Sequence, residues 1–113
     1  MMSSIRDMIN ANEVITKLAA NTNIYVSSAF KLLPIMEFVT EVVDSYLKAK
    51  EEIIAKDISL EEKEKEFNEY LDKEIKIPDI KIGVNTLRNC NLTMIDLQHI
   101  HWWLVEFEDE YED

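Results

Sequence analysis

The chain has 113 residues, 47% of them hydrophobic and 31% charged, a balance that suits a folded protein rather than a disordered one. That length fits one domain over residues 1–113, able to bury a core without staples. A single cysteine, Cys90, rules out an internal disulfide, and a formal net charge of −11 argues against direct binding to nucleic-acid phosphates.

The charge is uneven. Residues 1–34 hold three bases and two acids, whereas residues 83–113 hold seven acids and one base, Arg88. No basic stripe is present to track a phosphate backbone. Acidity of this kind serves solubility or meets a basic protein surface. No apolar run reaches the roughly 18 residues of a membrane span. Residues 1–7 lack the apolar stretch of a secretion signal. The expectation is a soluble chain that is not secreted.

Glycine occurs once and proline twice, which favours helices with short connections. The first is expected over residues 10–20, where Val14, Ile15 and Leu18 share a face. Asn21-Thr22-Asn23 then reads as a turn.

The strongest periodicity follows. Leu32, Ile35, Val39, Val42, Tyr46, Ala49 and Ile53 are separated by alternating steps of three and four, a seam along one long helix. Phe38, Val43, Leu47 and Ile54 widen it. This face either packs inside the chain or pairs with another copy. Pro34 lies in the first turn, or kinks a helix that began near Ser27.

Ser59 and Glu62 have the spacing of a capping box, opening a third helix on which Leu60, Phe67, Tyr70 and Leu71 share a face. The short gap after Lys56 makes the second and third helices an antiparallel hairpin. Isoleucines alternate with polar residues from Glu74 to Gly83, the period of a strand, and Pro78 divides it. Its mate is sought near residues 4–8 or 84–87, or on a second chain. Thr93 and Asp96 start a last helix, expected to carry Ile95, Leu97, Ile100, Trp103, Leu104 and Phe107. The fold predicted is mainly α: a long helical hairpin plus a C-terminal helix, with a short strand segment near 74–87.

Little points to catalysis. One glycine excludes glycine-rich phosphate loops. His99 and His101 are the only histidines; on a helix they diverge by about 200° and cannot share a metal. Cys90 reads as a small buried residue rather than a nucleophile. No catalytic residue, cofactor or metal is expected. Trp102-Trp103 stands out, because adjacent residues on a helix face different ways. Trp103 continues the apolar face, so Trp102 is the candidate contact anchor, unless both are buried at a junction.

The order of elements, with residues 12–18, the long helix over 33–54, and Leu92-Thr93-Met94-Ile95-Asp96-Leu97 leading to Trp103-Leu104, resembles small uncharacterised proteins of tailed bacteriophages. The resemblance covers most of the chain without a signature motif and brings no catalytic residues. It implies a minor structural or assembly component, placed in the host cytoplasm or the virion. Such a protein would bind protein partners, or itself, through the long helix, the 74–87 strand or Trp102. An alternative is an acidic inhibitor of a host nucleic-acid-binding or defence protein. In that role Glu106, Glu108, Asp109, Glu110, Glu112 and Asp113 imitate phosphates and Tyr111 imitates a stacked base.

Overall fold

A computed structural model describes residues 1–106. It opens with a short strand, β1 (Met2–Ser4), and turns directly into a helix, α1 (Ile5–Ala19). The helix begins five residues before its expected start because Ser4 caps it, its side chain accepting the Asp7 N–H at 3.1 Å. Asp7 then lies in the first turn and Lys17 in the last, both matched to the helix dipole. Met8, Ala11, Val14, Ile15 and Leu18 line the buried face. The asparagine turn follows as read: the Asn23 N–H donates to Asn21 Oδ1 at 2.8 Å, and the Asn21 amide donates to the Cys90 carbonyl at 3.1 Å.

The long helix, α2 (Val26–Ala55), has 30 residues. Pro34 is inside it, so the helix starts ahead of the proline rather than at it. Pro34 has no N–H to give the Phe30 carbonyl, and both residues are exposed, so solvent can satisfy that oxygen. The predicted seam is covered by two different helices. Its first half, Leu32, Ile35 and Val39, joins the core with α1. Its second half faces α3 (Leu60–Leu71), where Tyr46 meets Tyr70 with ring centroids 6.3 Å apart and Lys56 pairs with Glu66. The hairpin is therefore as expected, and it projects: the molecule measures 57 × 25 × 23 Å. Ser59 caps α3 through the Glu62 N–H at 3.1 Å. Leu60, placed by periodicity with Phe67, Tyr70 and Leu71, is instead among the most exposed large side chains at 81%.

Pro78 divides the isoleucine segment into two pieces, each with a mate in the same chain. β2 (Glu74–Lys76) pairs antiparallel with β1, Ser3 opposite Ile75. β3 (Ile82–Gly83) pairs in parallel with β4 (Leu104–Val105). Residues 84–87, offered as a possible mate, form a 3-10 turn. Asn91 has φ of 56°, in the left-handed region that asparagine tolerates better than most residues.

The C-terminal helix is shorter than its periodicity suggests. α4 (Met94–His99) has six residues; a 3-10 turn over His101–Trp103 and then β4 follow. A helix continued through residues 100–105 would carry Leu104 and Val105 away from β3. The extended turn delivers them to it, and delivers Trp103 to the core at 1% exposure. The cap itself is as read: Thr93 and Asp96 exchange reciprocal bonds. Met94 and Ile95 are exposed, so Ile95 does not belong to the buried face.

Candidate protein-interaction surface

Of the residues singled out from sequence, Trp103 is a core side chain whose indole N–H donates to the Pro78 carbonyl at 3.1 Å. Trp102 is half-buried. Its ring lies 4.3 Å from that of His101 and 5.7 Å from that of Trp103, and its carbonyl accepts from Lys81 Nζ at 2.7 Å. It is therefore a packed, half-buried side chain, a weaker anchor than a protruding tryptophan. Glu106 is exposed and lines an open depression of about 540 Å³ with Val84, Arg88 and Leu97. Phe107 and the remaining tail candidates, Glu108, Asp109, Glu110, Tyr111, Glu112 and Asp113, lie outside the described residues.

The candidates for chemistry do not converge. Among the described residues no three His, Cys, Asp or Glu side chains form a metal-binding group. His101 Nδ1 is engaged with the Gln98 carbonyl at 2.8 Å. Cys90 is buried, and burial pushes its thiol pKa up, away from the thiolate that a nucleophile requires. A hollow between α1 and α2, lined by Ile15, Ala19, Ala29, Leu32, Leu33 and Met36, holds about 160 Å³, below the roughly 300–1,000 Å³ usual for small-molecule sites, and the larger depression beside Glu106 is open to solvent. No described helix is long and apolar enough to cross a membrane.

What the fold leaves open is one side of α2. Val26, Leu33, Leu47 and Ile54 are separated by multiples of seven, so they form one line along the helix, with Thr40 at the remaining position. The line lies about 100° around the helix from the buried line of Leu32, Val39 and Ile53, and α1 touches only its edge, where Leu33 lines the hollow with Ile15 and Ala19. Val26 is 76% exposed, Leu33 47%, Leu47 49% and Ile54 53%; Phe30, one turn after Val26, is 71% exposed. Ala29, Met36 and Val43, half-buried, border the line on its core side. Positions 26, 29, 33, 36, 40, 43, 47, 50 and 54 thus repeat at steps of three and four, with only Thr40 and Lys50 polar. This is a second seam beside the buried one.

Its solvent-side flank is acidic. Glu37, Asp44 and Glu51 are exposed, separated by seven, and each lies between two members of the outer line. None of the three takes part in an ion pair among the described residues. Leu47 and Ile54 were legible in the sequence as part of a wide stripe. Val26, Phe30 and Leu33 were not singled out, although the spacing of seven that joins them to Leu47 and Ile54 is present there.

Comparison with protein-family models, with curated proteins and with solved structures finds no match.

Proposed function

We propose that this chain is a non-enzymatic protein that works by binding other protein chains, as a minor structural or assembly component of a phage particle. The observation that carries the binding role is the exposed apolar line on α2. Large apolar side chains repeated along a single helix face are costly to leave in water, and an extended patch of this kind marks a contact surface more often than a plain exterior. The particle assignment draws on the resemblance of the element order to tailed-bacteriophage proteins. A projecting helical hairpin suits that role, since it offers a long, narrow surface to a neighbour.

The test is the native mass of the full chain by light scattering, together with sedimentation of purified particles probed for the chain. The expected result is a chain that travels with particles, and a Leu33→Asp/Leu47→Asp variant that folds but no longer does. A monomer that never travels with particles or with any particle protein overturns the assignment.

A further inference from the structure

We infer that the outer seam of α2 receives a basic amphipathic helix of another protein, an inference that rests on the protein-binding reading above. The pattern selects a helix. Apolar residues at alternating steps of three and four present ridges and holes that another helix fills, whereas a strand would meet them out of phase. From Val26 to Ile54 the seam runs about 42 Å at 1.5 Å per residue, enough for a partner of four heptads.

The flanks select its charge. On one side the seam is bordered by Leu32, Val39 and Ile53, which the protein's own core covers. The other side offers, after Phe30 in the same row, Glu37, Asp44 and Glu51, exposed and without an ion pair among the described residues. Past Phe30 a partner helix therefore meets three acids along its open edge, with one base, Lys48, beside the last two, and lysine or arginine on the partner pairs with them.

The same geometry disfavours a second copy of this chain. An antiparallel mate sets each acidic flank against the other. A parallel mate would have to answer Glu37, Asp44 and Glu51 with the opposite flank of its own seam, which is the apolar, core-covered line of Leu32, Val39 and Ile53. Neither arrangement sets a basic flank against those acids; the lysine of the seam itself, Lys50, stands on its core-side row rather than on the flank.

The probe is a synthetic helical peptide of four heptads, with leucine at the seam positions and lysine at the flanks. Two controls differ from it in one respect each: glutamate at the flanks, or serine at the seam. Binding to the full chain is read by fluorescence anisotropy at low and high salt. The lysine-flanked peptide is expected to bind at least about tenfold tighter than either control, and to weaken as salt screens the flank. The variant E37K/D44K/E51K is expected to reverse the preference toward the glutamate-flanked peptide. A second variant, Leu33→Ser/Leu47→Ser, should lose at least about tenfold for the lysine-flanked peptide while retaining its helical spectrum. Failure of the lysine-flanked peptide to bind, equal binding of all three peptides, or an unchanged preference after charge reversal overturns the inference. A chain found in particles that ignores the peptide sinks the basic-helix inference alone. A chain that binds the peptide but travels with no particle sinks the assembly reading alone.

Discussion

Lys17, in the last turn of α1, donates to Asp96 in the first turn of α4, with Nζ 2.7 Å from Oδ2. The same carboxylate accepts the Thr93 N–H at 3.0 Å, so one side chain closes a helix cap and fastens that helix to α1. The Lys17 hydrogen bond, and then the Thr93 backbone, hold the Asp96 carboxyl below its ordinary value of 3.8.

That lowering fixes the sign of a pH effect. A group with a depressed folded-state pKa adds stability that is fully present above its ordinary value and is lost as pH falls through the folded one. Asp96→Asn keeps an acceptor for Thr93 but removes the charge. The variant should be less stable than the parent near neutrality, and the gap should close as pH drops below 3.8. Urea unfolding of both proteins at a series of pH values measures the gap; a gap independent of pH would refute the pairing. Thr93→Ala, which removes the other half of the cap, should cost about 1 kcal/mol.

Ser28 and Thr86 form a buried polar contact between α2 and the 3-10 turn. The Ser28 hydroxyl donates to Thr86 Oγ1 at 2.8 Å, and the Thr86 hydroxyl donates to the Gly83 carbonyl at 2.7 Å. The two substitutions are unequal. Ser28→Ala removes a donor and leaves Thr86 bonded to Gly83. Thr86→Val strands the buried Ser28 hydroxyl and should cost about 1–3 kcal/mol. The double variant S28A/T86V should recover part of that loss. Chemical denaturation of the full cycle tests this, and simple additivity would argue against the coupling.

Cys90 is 1% exposed, and burial raises its thiol pKa. Reaction with a disulfide-exchange reagent should therefore be slower in the native chain than in the unfolded one, on the order of 100-fold or more. The native rate should climb with sub-denaturing urea as the chain opens. Equal native and unfolded rates would place the thiol at the surface.

Local signals were legible where they were local in fact. Ser59 with Glu62 and Thr93 with Asp96 mark helix starts through bonds spanning three residues; the full capping box forms at Thr93 and Asp96, whereas at Ser59 only the hydroxyl half, accepting the Glu62 N–H, is made. Ser4 with Asp7 carries the same kind of signal at the head of α1, and reading it would have moved that helix to its true start. The end of α4 was not legible. The 95–107 periodicity is compatible with one helix, yet the chain extends after Trp103 because Leu104 and Val105 pair with Ile82 and Gly83.

The sequence by itself determined the mainly helical class, the long seam of α2, the turn after α1 and the break at Pro78. Each follows from spacing or from the backbone preference of a few neighbouring residues. The tertiary structure alone decided which arcs of α2 are covered. Its apolar residues span far more of the circumference than one neighbour can bury, and periodicity cannot say where α1 and α3 will lie. It also decided the strand mates, because residues 2–4 meet 74–76 and residues 82–83 meet 104–105 only once the intervening chain has packed. The candidate surface is what remains of α2 after those choices: an apolar line edged with acids, left largely to solvent because α1 and α3 pack mainly on the other seam.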